Sequence, residues 1–277
     1  MKRVIMLSLI IATIVVCFSK TLMKTTTDTI IVPTTHLGTP MHVTVTVPAR
    51  YLSTLDNDNY PVVYLLNGYT GDNTDYARHM NLDSLANVNN VIIVCPDGRD
   101  SWYWDTPKTS GMEMESFFVK DLIPTIDREF RTLPRPESRA IAGLSMGGHG
   151  ALWLAMRHKD LFGNAGTMSG GVDITPKEFQ SNWQLRQLLG EYDKNKKSWK
   201  NHTVQSLVKK LKPGQLNLIV CCGSEDFFFP VNENLHASLD KRGIKHTYII
   251  EPGGHTWPYW NSTLPVILEF FNQHLAR

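Results

Sequence analysis

The chain has 277 residues, of which 42% are hydrophobic and 19% charged, an ordinary composition for one globular domain with a full core. Its formal net charge is +2, and removal of Lys2 and Arg3 with an N-terminal leader would leave a neutral chain. A neutral chain has no electrostatic basis for binding nucleic acid or an anionic membrane, so we expect neither partner. No linker-like stretch or internal repeat divides the sequence, and residues 20–277 are interpreted as a single domain.

The first residues have the pattern of a secretory signal peptide. The two basic residues precede an uncharged apolar run, 4–18, and the chain becomes polar from Ser19. At about 15 residues this run is shorter than the roughly 20 that cross a bilayer, which disfavours a membrane anchor. We therefore expect residues 1–19 to be removed and the mature protein to be secreted or periplasmic. Lipid attachment at Cys17 is a weaker alternative, because the bulky Val16 precedes it.

The remaining chain alternates predicted strands and helices. Segments 29–37 and 41–48 alternate β-branched and polar residues, which predicts an antiparallel hairpin that turns near 38–40. Short, nearly continuous apolar runs then predict strands covered on both faces at 62–66, 91–94, 140–143, 216–222 and 247–250. Helical patterns lie at 114–130, 148–157, 232–242 and 264–275. This order predicts an α/β fold with a mostly parallel, doubly wound sheet and helices on both faces.

Three cysteines follow the leader, and all lie in or beside apolar runs: Cys95, Cys221 and Cys222. Buried thiols are favoured over a disulfide, and two adjacent cysteines point to opposite faces of a strand. No short Cys or His pair has the spacing typical of a zinc site. We therefore expect neither a metal nor another cofactor.

Residues 140–150 contain a Gly143-x-Ser145-x-Gly147 pentapeptide between a predicted strand and an alanine-rich helix. In this context a sharp strand-to-helix turn lifts the serine hydroxyl clear of the sheet, and the glycines avoid backbone clashes. The N-terminus of the following helix directs its positive dipole end towards an oxyanion. A glycine-rich turn that merely contains serine is the alternative. The motif predicts that Ser145 is the nucleophile of a serine hydrolase.

Such a serine needs a base, and in this arrangement an acid and a histidine follow the serine along the chain. Five histidines that lie well downstream of the serine are His202, His236, His246, His255 and His274. His255 follows Gly253 and Gly254 in a loop after the last predicted strand, where catalytic loops belong, so we predict it to be the base. The other four lie in helical patterns, in a polar stretch or at a strand start and are most simply surface residues.

The acid is expected after the preceding strand. Asp226 follows the apolar run 216–222, and its spacing from Gly223 suits a turn that returns the carboxylate to the sheet edge. One helix and one strand fit between Asp226 and His255. Its role would be to orient the imidazole and stabilise the imidazolium. Glu225 and Asp173 are the alternatives.

An oxyanion hole requires two backbone N–H donors, each worth roughly 3 kcal/mol in comparable enzymes. One comes from the residue after the nucleophile, Met146. The other is expected from the loop after strand 62–66, at Tyr69, where Gly68 and Gly71 permit close approach of the backbone. The alternative is that Asn67-Gly68 forms only a turn.

Five motifs from residue 45 to the C-terminus resemble the esterase D-like or "putative esterase" family of α/β hydrolases. They are Tyr-Leu-Leu-Asn-Gly at 64–68, Glu-Ser-Phe at 115–117 with Leu-Ile-Pro at 122–124, Ala-Gly-Leu-Ser-Met-Gly-Gly at 142–148, Asp-Leu-Phe at 160–162 with Ser-Gly at 169–170, and Gly-Gly-His-Thr-Trp at 253–257. The family contains feruloyl and acetyl xylan esterases (family 1 carbohydrate esterases), S-formylglutathione hydrolases, tributyrin-type esterases and mycolyltransferases. The resemblance implies an α/β-hydrolase fold, the triad Ser145, Asp226 and His255, and oxyanion amides at Tyr69 and Met146. Asn67 departs from the family, since many relatives carry His there.

Tryptophans near the predicted site suggest what it binds. Trp102 and Trp104 follow a predicted strand end, and Trp257 lies beside His255. Aromatic faces suit a sugar ring or an aromatic acyl group, although core packing is the alternative for each residue. The polar stretch 174–212 is interpreted as a helical excursion that could form a lid over the site.

Together these features predict a secreted serine esterase that removes acetyl or feruloyl groups from plant polysaccharide or its fragments through an acyl-enzyme. The alternatives are an S-formylglutathione hydrolase, which the signal peptide disfavours, a general short-chain (tributyrin-type) esterase and an acyltransferase. An inactive glycan-binding protein is the alternative from another class, and the complete triad disfavours it.

Overall fold

An eight-stranded sheet organises the part of the chain that the computed structural model describes, which is residue 23 and residues 25–53, 55–106 and 111–277. The predicted signal peptide, 1–19, lies outside the described residues. The strands are β1 Thr27–Val32, β2 Met41–Thr46, β3 Val62–Leu66, β4 Ile92–Pro96, β5 Arg139–Leu144, β6 Asn164–Met168, β7 Asn217–Gly223 and β8 Thr247–Glu251. Their order across the sheet is β1-β2-β4-β3-β5-β6-β7-β8.

The register of the strands confirms the predicted hairpin and the mostly parallel sheet. β1 pairs antiparallel with β2, and β2 pairs antiparallel with β4. The pairs from β4 through β3, β5, β6 and β7 to β8 are all parallel. Their carboxyl ends therefore meet at one edge of the sheet, where ligands bind in this class of fold.

The helices cover both faces of the sheet, as predicted. They are α1 Asp75–His79, α2 Leu82–Asn89, α3 Met114–Phe117, α4 Ile123–Glu129, α5 Met146–Arg157, α6 Leu185–Leu189, α7 Tyr192–Asn201, α8 Val204–Leu207, α9 Phe229–Lys241 and α10 Trp257–His274. A π-helical turn, Phe118–Leu122, joins α3 to α4, and 3₁₀ turns lie at Ala49–Leu52, Pro136–Ser138 and Val208–Lys210. No helix in the described segments has both the length and the apolar character needed to span a membrane.

Alternate residues of β3 illustrate the two buried layers. Tyr64 points to the face covered by helices α3 to α9, where its ring lies 6.3 Å from that of Phe118 and 6.0 Å from that of Phe162. Val63 and Leu65 point to the opposite face, which α1, α2 and α10 cover. The continuous apolar run at 62–66 is therefore explained by burial on both sides. Cys95, Cys221 and Cys222 are buried free thiols, as expected.

Strand β6 and helices α1 and α2 were not predicted, and α10 begins seven residues before the predicted start. The reason for β6 is visible at Gly166, where an added Cβ would lie 3.0 Å from Ile219, 3.0 Å from Ile267 and 3.3 Å from Phe271. The strand must use glycine at this position because α10 packs closely across it. It therefore lacks the run of large apolar side chains by which the other strands were detected.

Candidate active site

Ser145 occupies a strained turn between β5 and α5. Its backbone angles are φ 55° and ψ −120°, a conformation that costs a non-glycine residue roughly 1–3 kcal/mol. A Cβ added to Gly147 would lie 2.1 Å from the carbonyl oxygen of Leu66, and one added to Gly143 would lie 2.4 Å from the carbonyl of Gly147. Both flanking glycines are therefore required by the close approach of β3, β5 and α5, as the pentapeptide predicted.

Ser145, His255 and Asp226 form a continuous hydrogen-bonded chain. The Ser145 hydroxyl donates to Nε2 of His255, with Oγ and Nε2 2.8 Å apart. Nδ1 of His255 donates to Oδ2 of Asp226 across 2.9 Å. The Asp226 side chain is fully buried, and its Oδ1 accepts the backbone amide of Phe228 at 2.8 Å. This geometry suits nucleophilic attack by the serine, with the histidine as base and the carboxylate orienting it.

Asp226, rather than either of the two alternative acids, is the carboxylate hydrogen-bonded to His255. Glu225 is exposed beside it, and Asp173 instead accepts hydrogen bonds from the backbone amide and hydroxyl of Thr175. The loop that carries Asp226 is joined to the loop that carries His255, because the amide of Glu225 donates to the carbonyl of Gly253 at 3.0 Å. This contact fixes the acid and the base relative to each other.

The two predicted oxyanion donors belong to segments that adjoin the nucleophile. Tyr69 lines the same pocket as Ser145. Met146 is the first residue of α5, so its amide has no carbonyl one helical turn before it to which it could donate. A Cβ added to Gly68 would lie 3.4 Å from Cβ of Ser145, which shows how closely this loop approaches the nucleophile. The role of the Tyr69 and Met146 amides stays a prediction.

Asn67 fixes this loop from within. Its buried side chain accepts the Gly98 amide at 2.8 Å and the Tyr103 hydroxyl at 3.0 Å through Oδ1, and Nδ2 donates to the carbonyl of Gly68 at 3.0 Å. The side-chain carbonyl and amide groups are therefore both engaged, and the loop after β3 is joined to the loop after β4. The departure from histidine at this position is accommodated by a complete set of hydrogen bonds.

A pocket of about 380 Å³ opens at the triad. The residues around it are Gly68, Tyr69, Thr70, Gly71, Asp75, Leu144, Ser145, Trp183, Phe227, His255, Trp257 and Trp260. The Phe227 ring is 48% exposed and its centroid lies 4.4 Å from that of His255, while Trp183 stacks on Phe227 at 6.0 Å. Trp257 stacks on His79 with ring centroids 3.8 Å apart. The pocket thus has an aromatic wall beside the nucleophile.

Trp183 and Phe227 line the pocket but were not among the predicted site residues. Phe227 directly follows Asp226 in a run of three phenylalanines, a signal that could have identified it. Trp183 lies in the 174–212 excursion, where no local pattern marks it. This excursion contains the short helices α6, α7 and α8, and Trp183 is its contribution to the pocket. Its function as a lid stays a prediction.

The assignment of Trp102 and Trp104 to substrate contact was wrong. Their exposed fractions are 1% and 0%, and among the residues that the structure describes the pocket is lined without either of them. Their rings stack with centroids 5.6 Å apart, and the indole of Trp104 donates to Nε2 of His149 at 2.9 Å. Both tryptophans therefore belong to the core, the alternative that the sequence analysis had left open. The predicted Trp257 does line the pocket.

His149 supports the nucleophile turn from the core. Its Nδ1 donates to the carbonyl of Gly171 at 2.9 Å, and Nε2 accepts from Trp104, so the imidazole is neutral. The amides of His149 and Gly171 both donate to the carbonyl of Ser145, at 3.1 and 3.2 Å. Burial lowers the pKa of His149 from 6.5 to about 3. The neutral side chain thereby holds the loop after β6 against the nucleophile turn.

We expect this histidine to make the stability of the fold depend on pH. Between about pH 3 and 6.5 the unfolded chain binds a proton at His149 that the folded chain does not, so stability falls as the pH falls. Urea unfolding of the wild type and of His149→Gln should give free energies whose difference shrinks by about 1.4 kcal/mol per pH unit below about pH 6.5. A difference that stays constant from neutral to acidic pH would contradict this assignment.

Comparisons with known proteins show the family to which this chain belongs. The sequence model of the family described as "Putative esterase" matches residues 34–271. An acetyl esterase of Caldicellulosiruptor saccharolyticus is 28% identical over 237 residues, covering 81% of this chain and 88% of that protein. An endo-1,4-beta-xylanase/feruloyl esterase of Xylanibacter ruminicola is 30% identical over 160 residues, covering 54% of this chain but only 22% of that larger protein.

The same relationship appears in three dimensions. A solved ferulic acid esterase superposes with a TM-score of 0.76 and 26% sequence identity, covering 90% of this chain and 97% of that one. The mostly parallel sheet, the N-terminal hairpin and the helices on both faces are thus those of the α/β-hydrolase fold. With a family match over most of its length and a Ser-His-Asp arrangement at the carboxyl edge of the sheet, the chain belongs to the "putative esterase" family.

Proposed function

We propose that this esterase removes acetyl or feruloyl groups from a polysaccharide or its oligosaccharides through an acyl-enzyme. The esterase activity follows from the family, and the nature of the acyl group and of the alcohol is the proposal. The proposal includes export to the periplasm or the exterior, supported by the leader pattern of residues 1–19. Plant cell-wall esters would then be accessible to it.

The observation that carries the proposal is the aromatic wall beside the triad. Phe227 is about half exposed against the His255 ring, and Trp183 continues the same surface. Planar, exposed aromatic faces bind a hydroxycinnamoyl ring by stacking and a sugar ring by its apolar face. The names of the relatives, an acetyl esterase and a xylanase/feruloyl esterase, support the same substrate class.

The reaction follows from the hydrogen-bonded chain. Oγ of Ser145 attacks the ester carbonyl carbon while Nε2 of His255 takes the hydroxyl proton. The amides of Tyr69 and Met146 receive the negative oxygen of the tetrahedral intermediate. Collapse of that intermediate breaks the bond to the sugar oxygen, which takes the proton from His255 and leaves as an alcohol.

The second half of the reaction repeats these roles with water. His255 accepts a proton from a water molecule while the oxygen of that water attacks the carbonyl carbon of the acyl group on Ser145. The second tetrahedral intermediate expels Ser145 Oγ, which recovers its proton, and the carboxylic acid departs. Buried Asp226 stabilises the imidazolium in both halves.

A substrate panel tests this proposal: acetylated xylan, methyl ferulate, tributyrin and S-formylglutathione. We expect the xylan or the ferulate ester to give the highest kcat/KM. Phe227→Ala should lower kcat/KM for methyl ferulate about tenfold, because it removes a stacking surface, and should affect p-nitrophenyl acetate less. Phe270→Ala, on α10, is the matched control and should leave both rates unchanged. Dominant turnover of the thioester would overturn the polysaccharide assignment.

A further inference from the structure

Three potential metal ligands converge at the end of α9, away from the residues of the catalytic pocket. His236 and Asp240 are four residues apart on α9, so they lie on the same face of the helix. His246 follows the turn at Gly243, whose φ is +65°, and immediately precedes β8. Each of the three residues offers one ligand atom, and these atoms lie within 4.8 Å of one another.

One ring nitrogen of each histidine already points towards the other ring. Nδ1 of His236 lies 2.8 Å from Nε2 of His246. Nδ1 of His246 donates to the carbonyl of Ile244 at 2.8 Å, so the lone pair of its Nε2 points towards His236. A histidine whose second nitrogen donates to a backbone carbonyl is the usual state of a metal ligand, because that bond fixes the tautomer and the ring orientation.

One side of this cluster packs against the protein and the other faces solvent. The His236 ring stacks on Tyr248 at 4.2 Å, and the Tyr248 hydroxyl donates to Glu233. The side chain of His246 is 2% exposed, whereas that of Asp240 is 62% exposed and can move. An oxygen of Asp240 lies 3.5 Å from Nε2 of His236, and the other lies 4.0 Å from Nδ1 of His246. These are the two ring nitrogens turned away from the contact between His236 and His246. The exposed carboxylate must therefore rotate, from the solvent side, towards the two facing nitrogens to join them around an ion.

We propose that His236, Asp240 and His246 bind one Zn²⁺ ion, with water completing the coordination. Two imidazole nitrogens and a carboxylate oxygen suit Zn²⁺, whereas Ca²⁺ and Mg²⁺ prefer oxygen ligands alone. Tetrahedral binding needs the two nitrogens about 3.3 Å apart, so His236 must withdraw by about half an ångström. Its hydrogen moves from Nδ1 to Nε2, which frees Nδ1 as the ligand. The ion would then join the end of α9 to the start of β8.

The sequence analysis expected no metal because it searched for short Cys or His pairs. The spacing here is His-x₃-Asp-x₅-His across a helix end and a turn. Only the chain reversal between α9 and β8 brings the third ligand to the first two. The inference does not depend on the proposed substrate, and it assigns the ion a structural role because β8 leads to the loop of His255 without touching the reacting atoms.

Calorimetric titration of the untagged protein with ZnCl₂ at neutral pH tests the site. We expect one equivalent to bind, and the unfolding temperature to rise by about 5 °C when free Zn²⁺ is about 100 times Kd. His236→Ala and His246→Ala should each abolish this binding and the temperature shift. Because His246 is buried, the partly exposed His236 provides the variant whose folding is least at risk.

Two further histidine variants distinguish this cluster from other zinc-binding groups. His274→Ala, on the exposed side of α10, and His255→Ala, in the triad, should both still bind one equivalent of Zn²⁺. The proposal is overturned if the wild type binds no Zn²⁺. It is also overturned if the His236 and His246 variants bind as tightly as the wild type, or if His255→Ala is the variant that loses the ion.

Discussion

Ser145→Ala is expected to lower kcat on p-nitrophenyl acetate by about 10⁶-fold. The variant removes the only atom that forms the acyl bond while leaving the strained turn, the glycines and the pocket wall in place. Because α5 and the sheet are unaltered, its unfolding temperature should match that of the wild type. Release of p-nitrophenol, followed at 25 °C, is the measurement.

A matched control for this variant is Ser181→Ala, at an exposed serine of the excursion. It should turn over like the wild type. If Ser145→Ala kept wild-type turnover while it remained folded, another residue would have to be the nucleophile. The mechanism above would then be wrong at its first step.

Asp226→Asn is expected to lower kcat by about 10⁴-fold with little change in structure. The amide of asparagine can donate to Nδ1 of His255, which would place the imidazole hydrogen on Nε2. In that tautomer Nε2 has no lone pair with which to accept the proton of Ser145. The backbone amide of Phe228 can still donate to the remaining side-chain oxygen, so the loop should keep its shape.

Glu225→Gln is the control that separates the two adjacent carboxylates. Glu225 is exposed and His255 bonds to its neighbour, so this variant should keep the wild-type kcat. The measurement is kcat on p-nitrophenyl acetate for the two variants side by side. A large loss in Glu225→Gln together with an active Asp226→Asn would reverse the assignment of the acid.

The three residues that form the hydrogen-bonded chain were predicted from the sequence because each is marked by its local surroundings. Ser145 has glycines that the close backbone contacts require, and His255 follows two glycines after a buried strand. The order of serine, acid and base along the chain then limits the acid to the segment between Ser145 and His255, where Asp226, Glu225 and Asp173 were the candidates. Burial and the hydrogen bond to His255 favour Asp226 over Glu225, and local sequence specifies neither of these two features.

The pocket wall could not be found in the same way, because it is assembled from distant segments. Trp183 and Phe227 are 44 positions apart, yet their rings stack at 6.0 Å. For Trp102 and Trp104 the error was the opposite, because they were predicted to contact substrate and instead lie in the core. Their position after β4 is typical of a ligand-binding loop, but the hydrogen bond from Trp104 to buried His149 holds that loop in the core.

Strand prediction failed for a related reason. β6 contains Asn164, Ala165 and Gly166, whose small or polar side chains do not form an apolar run. Gly166 is required by α10, which packs on the same strand from a position about 100 residues later in the sequence, whereas Ala165 faces the opposite layer. The predicted helix 264–275 leaves out the first turns of α10, which contain Pro258, although proline is tolerated in the first turn of a helix.

The central claim is that the hydroxyl of Ser145 carries the acyl group between the two halves of the reaction. Acid quenching during turnover of p-nitrophenyl acetate, followed by peptide mass mapping, tests this most directly. The account predicts one acetyl group on the peptide that contains Ser145 in the wild type and none on that peptide in Ser145→Ala. An acetyl group found on a different residue, with Ser145 unmodified while p-nitrophenol is released, would contradict it.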